Sequence, residues 1–137
     1  MRLAGAGTSQ LGLAWVVLCG AFAMHVVDEA LTHFLDAYSP MVQAIRARLP
    51  WVPLPTFTLR VWLAGLIVAV LTLSALSPFA WTHAAWIRPL ARVFGVVMLG
   101  NGLLHLGAAC YRRRAVPGVF TAPLLVAGAI YLLAAIP

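Results

Sequence analysis

Four stretches of this chain, residues 11–37, 59–76, 89–109 and 119–136, are predominantly apolar, with proline only near the start of the last two. Each is long enough to cross a hydrocarbon layer of about 30 Å as a helix. Lipid offers no partner to a backbone N–H or C=O, so a spanning segment must close its own hydrogen bonds, which a helix does. Punctuation falls between the runs: Ser39-Pro40 and Ser77-Pro78 stop two of them, and Pro89 and Pro117-Gly118 open two others. The chain is 64% hydrophobic with a mean hydropathy of +0.99. An ordinary soluble domain is only about 45–50% apolar. These features predict an all-α fold, a four-transmembrane-helix bundle in which residues 1–137 form a single integral membrane domain.

The connections carry the charge. All nine basic side chains are arginines, and they set a formal charge of +6. They lie between apolar runs rather than along a basic recognition face, so they read as topology signals and lipid contacts and exclude a nucleic-acid partner. Arg46, Arg48 and Arg112 to Arg114 fall on one side of the expected bundle, with Arg60 adjacent; Arg2 and Arg88 fall on the other, with Arg92 just inside. The richer side should be cytoplasmic, leaving both termini non-cytoplasmic in a multi-pass protein of the plasma (inner) membrane. In the first loop, Met41, Val42, Ile45 and Leu49 recur at helical spacing, which predicts a short interfacial helix with Trp51 at headgroup depth. Pro50, Pro53 and Pro55 then enforce an extended connection. Ala21-Phe22-Ala23 resembles a small-x-small cleavage site, but cleavage there would strip the helix that precedes the polar residues described next.

The chain has only three carboxylates, Asp28, Glu29 and Asp36, and all lie beside two of its four histidines in His25–Asp36. On one continuous helix, His25, Asp28, Glu29, Thr32, His33 and Asp36 fall within an arc of about 140°. An ionised Asp near a bilayer centre costs roughly 2.5–3.5 kcal/mol on insertion scales, so a stripe of this kind marks a site. In the expected topology the first and third spans run the same way. Asn101 and His105 on the third therefore reach a depth similar to that of the stripe, whereas His83 lands at the far end.

Imidazoles and carboxylates one turn apart can grip a metal ion together. The expected ligands are His25, Glu29, His33 and His105, with a divalent transition metal, Zn or Fe, as cofactor. Asp28 or Glu29 could instead act as general base, and Asn101, Thr32, Asp36 and Arg60 are candidates to contact substrate or support the ligands. With more than four candidate ligands a dinuclear site is also conceivable. The expectation is a metal-dependent membrane enzyme, a hydrolase or oxidase, acting on a lipid or other apolar substrate at the cytoplasmic side. The alternative is a non-catalytic carrier or interaction protein whose polar cluster relays protons or holds the bundle together.

His25-Val26-Val27-Asp28-Glu29 resembles the motif of the HXXEE family of small four-span membrane proteins. Asn101-x-x-x-His105, and Pro117-Gly118 followed by Thr121, resemble that family's later segments. The chain departs from the motif at Asp28, where the family has Glu and the side chain is one methylene longer. The resemblance implies a four-span fold and a site at these positions. It implies no particular reaction.

Overall fold

The computed structural model describes residues 6–137, with side chains from Gln10 onward; Arg2, counted in the charge argument, lies outside them. Among the described residues the chain is all-helical: α1 (Ala6–Leu31), α2 (Phe34–Arg48), α3 (Leu59–Ala75), α4 (Ser77–Trp81), α5 (Ile87–Arg112) and α6 (Ala122–Ala135). Three segments are long and apolar enough to cross a membrane: Gln10–Leu31, Leu59–Trp81 and Ile87–Arg112. The last helix, α6, is equally apolar but only 14 residues long.

Small residues set how the helices approach. A Cβ on Gly102 of α5 would collide with Val126 of α6, and one on Gly128 would press on Leu18 of α1. These contacts, with Gly95 against Leu133, run in opposite chain directions. The middle helix, α6, is therefore antiparallel to both α1 and α5, which are parallel to each other. Trp15, Phe22 and Phe94 fill the space between α1 and α5, with ring centroids 5.4 Å apart for Trp15–Phe94 and 6.2 Å for Phe22–Phe94. Trp15 is fully buried, and its indole N–H donates to the Leu73 carbonyl at 2.9 Å, which pins the end of α3 to the start of α1. An indole buried in an apolar layer must find such an acceptor.

Elsewhere α3 is largely uncovered, with Val61, Val68 and Leu71 all exposed. In water that apolar face would be a liability; against lipid it costs nothing. Thr58 begins this helix by accepting the Val61 N–H on its hydroxyl. Pro78 ends α3, as its missing N–H requires, but it then occupies the first turn of α4, where proline is tolerated. The apolar segment therefore continues to Trp81, whose ring lies where a Cβ on residue 12 would be.

The first span differs from expectation. A single helix over 11–37 does not form: α1 stops at Leu31, His33 adopts φ 58° and ψ 51° in the left-handed region, and α2 begins at Phe34. The break precedes Ser39-Pro40, and Pro40 lies within α2. Its cause is local. The Thr32 hydroxyl bonds back to the Asp28 carbonyl and also accepts the Gly118 N–H at 3.3 Å, tying the last turn to a distant loop. The interfacial helix predicted after Pro40 is thus longer and starts earlier. It is tied to the proline-rich connection by Tyr38, which donates to the Pro55 carbonyl, and by Arg46, which donates to that of Leu54.

Candidate metal centre

The carboxyl-terminal halves of α1 and α5 and the amino-terminal end of α6 meet at one end of the bundle. His25 and Glu29 lie one turn apart on α1, so both face the same way. Across the gap, α5 presents His105. All three are buried. Glu29 Oε1 lies 3.1 Å from His105 Nε2 and 3.6 Å from His25 Nε2, and one ligand atom from each residue lies within 4.8 Å of the other two. Donors held at about 2.0–2.1 Å around a tetrahedral ion are spaced by about 3.3 Å. The imidazoles meet edge to face with centroids 4.8 Å apart.

The turn between α5 and α6 fixes which nitrogen of each ring carries hydrogen. His105 Nδ1 lies 2.6 Å from the Pro117 carbonyl, which can only accept, so Nδ1 is the protonated position. The Thr121 hydroxyl donates its one proton to Asp28 Oδ2 at 2.9 Å. Its oxygen must then accept from His25 Nδ1, also at 2.9 Å. With both Nδ1 atoms committed, each ring turns its Nε2 toward the Glu29 carboxylate, and a neutral ring offers a lone pair there. Three potential ligand atoms therefore face one another. Among the described residues, His25 Nε2 is the one buried side-chain polar atom without a hydrogen-bond partner.

Gly118 makes this convergence possible. It has φ +79°, and a Cβ there would lie 2.8 Å from His105 Cε1 and 2.9 Å from His25 Cε1. Glycine alone tolerates both the dihedral and the space. Asp28 plays a separate part. Its Oδ2 accepts the Thr121 N–H at 2.9 Å as well as the hydroxyl, which holds the start of α6 and aims Thr121 at His25.

Two of the four expected ligands therefore come from α1 and one from α5, while His33 is exposed on the left-handed residue between helices and stands outside the group. Asp36 is exposed in the first turn of α2, and Arg60 is exposed at the start of α3. Neither belongs to the cluster. Asn101 is half-buried and lines, together with His105, an apolar cavity of about 400 Å³. Thr32 supports the turn through Gly118 rather than the ligands themselves. Absent from the expected set are Pro117, Gly118 and Thr121. Their one sequence signal was the Pro-Gly step followed by Thr, which marks a turn but not what the turn closes over.

A sequence model of the family described as "Protein of unknown function with HXXEE motif" matches residues 15–132. The chain belongs to that family. The motif's histidine and final acid are His25 and Glu29, the two α1 members of the buried cluster; its other acidic position is Asp28, which holds Thr121. No curated protein and no solved structure matches the chain.

Proposed function

We propose that this HXXEE-family chain is a metal-dependent membrane enzyme that acts on a lipid or other apolar substrate. One observation carries the reading: His25 Nε2 is buried, unpartnered and aimed with His105 Nε2 at a shared carboxylate. Two imidazoles and one carboxylate suit Zn²⁺ or Fe²⁺ and leave coordination positions open, as a catalytic site requires. One carboxylate in the group favours a single ion over a pair. When bound, the ion supplies Lewis acidity.

The chain's own residues do the rest. Thr121 and the Pro117 carbonyl lock both rings with Nε2 inward, so little reorientation is needed on loading. Asp28 keeps Thr121 in place. Phe34, 6.0 Å from the His105 ring, helps to exclude water, and the apolar cavity beside His105 gives a hydrophobic substrate access. In the same reading α6, lengthened by its lead-in turn, is the fourth span, and α2 lies in the interface. The arginine-rich end, which carries the site, is cytoplasmic and both termini are on the other side. Labelling of the exposed Cys110 from outside intact cells would reverse that orientation.

Elemental analysis of the detergent-purified protein tests the ion. Wild type and His33→Ala should each carry about one Zn or Fe per chain, whereas Glu29→Gln and His105→Ala should carry essentially none. A wild type without metal that takes up neither Zn nor Fe(II) on titration refutes the reading.

A further inference from the structure

Beside the buried cluster are two cavities that share a wall. The apolar one, about 400 Å³, is lined by Phe34, Leu104, His105 and Ala108 among others. The second, about 840 Å³, takes Arg48 from the end of α2 and Arg112 and Arg114 from the end of α5 and beyond. Ala37, Met41, Arg112 and Pro117 line both, so one occupant can extend from one cavity into the other. Both volumes lie within the usual range of about 300–1,000 Å³ for small-molecule sites.

From this juxtaposition we infer that the site takes a single-headed anionic amphiphile, a phosphate monoester on an apolar chain, with its head among Arg48, Arg112 and Arg114 and its chain along His105. This deepens the lipid-substrate reading above and rests on it for the chemistry, but not on the ion for binding. Three guanidinium groups face one carboxylate in the larger cavity, Asp36, with His33 alongside, which leaves the head region cationic. Arginine forks match a phosphate's oxygens in pairs, and an arginine-rich end at the membrane surface meets phosphate heads at that depth. The apolar cavity has no charged side chain except Arg112, at the shared wall. A soluble anion would leave it unfilled, and an alkyl alcohol would leave the arginines without a counter-charge. An occupant with both parts satisfies both.

Titration calorimetry on metal-stripped protein in neutral detergent, with decyl phosphate, decanol and inorganic phosphate as probes, tests this. Decyl phosphate should bind at least about tenfold more tightly than either partial probe. Arg112→Gln combined with Arg114→Gln should weaken it by about tenfold or more. Ala108→Phe, which fills the apolar cavity, should weaken decyl phosphate but leave inorganic phosphate unchanged. Thermal melts of the variants verify that they remain folded. Decanol binding as well as decyl phosphate overturns the proposal, as does equal binding of inorganic phosphate or indifference to the arginine substitutions. The protein is metal-free throughout, so failure here leaves the metal reading standing. Conversely, a chain that takes up no metal but binds decyl phosphate loses only the ion.

Discussion

The two halves of the stripe His25–Asp36 contain the same residue types and meet opposite fates. His25 and Glu29 are buried and face a third ligand, while His33 and Asp36 are exposed along an open cavity. What separates them is one residue in the left-handed region. Up to Thr32 the helix continues and a wheel projection holds; past His33 the chain has turned and the projection no longer applies. A shared arc predicts a shared face only while the helix lasts. The inner half is held from outside itself, by Pro117, Gly118 and Thr121, whereas the outer half has no such collar. Substitutions in and around the inner half should therefore cost far more than those in the outer half.

The largest effect is expected at Gly118. In Gly118→Ala the methyl group would meet both imidazoles within 2.9 Å while the backbone holds φ at +79°. The dihedral costs about 1–2 kcal/mol and overpacking about 1–3 kcal/mol more. Thermal or chemical unfolding in detergent should report a loss of about 3 kcal/mol, and metal uptake should fall with it because the rings are pushed apart. A variant that keeps wild-type stability and metal content would mean that the turn does not close over the histidines.

Thr121→Val comes next. It keeps the shape of the side chain but removes the hydroxyl that joins Asp28 to His25. His25 then loses the partner that fixes its Nδ1 hydrogen, and groups of this kind typically set metal affinity by about 10–100-fold. Competition against a chromophoric chelator measures that directly. Thr121→Ser, which retains the hydroxyl, should recover most of the affinity. Equal affinity in the Val variant would leave the ring orientation to packing alone.

These dependencies mark the limit of what the chain discloses as a string. His25 and Glu29 are legible because four residues on a helix are one turn, whatever the tertiary setting. His105 is legible through a depth argument: α1 and α5 run the same way, and the polar residues of each sit in its carboxyl-terminal half. The all-helical fold follows from the apolar runs. The break at His33 is not legible, since neither glycine nor proline marks it. It depends on a hydrogen bond from Gly118, distant in the chain, to Thr32. Thr121 is hidden for the same reason: a threonine at a helix start looks like a cap until its neighbours in space are known. The joining of the two cavities under α2 follows from the same turn at His33, which swings Phe34 and Ala37 toward α5.

The smallest effect should fall on His33, and its smallness is the informative part. If the outer half only redirects the chain, the residue matters through its backbone and not its imidazole. His33→Gly relieves the left-handed dihedral, worth about 1–2 kcal/mol to an L-residue, but adds unfolded-state freedom that costs about 0.5–1 kcal/mol. Stability should therefore stay level or rise by up to about 1.5 kcal/mol. His33→Val has the opposite sign, because a β-branched side chain is poorly accommodated at positive φ; a loss of about 1–2 kcal/mol is expected. Neither change should alter metal content, because the imidazole lies outside the buried group. Equilibrium unfolding and elemental analysis on the same two variants give four readings. Loss of metal from both, with stability unchanged, would assign His33 to the ion and require the two halves of the stripe to meet after all.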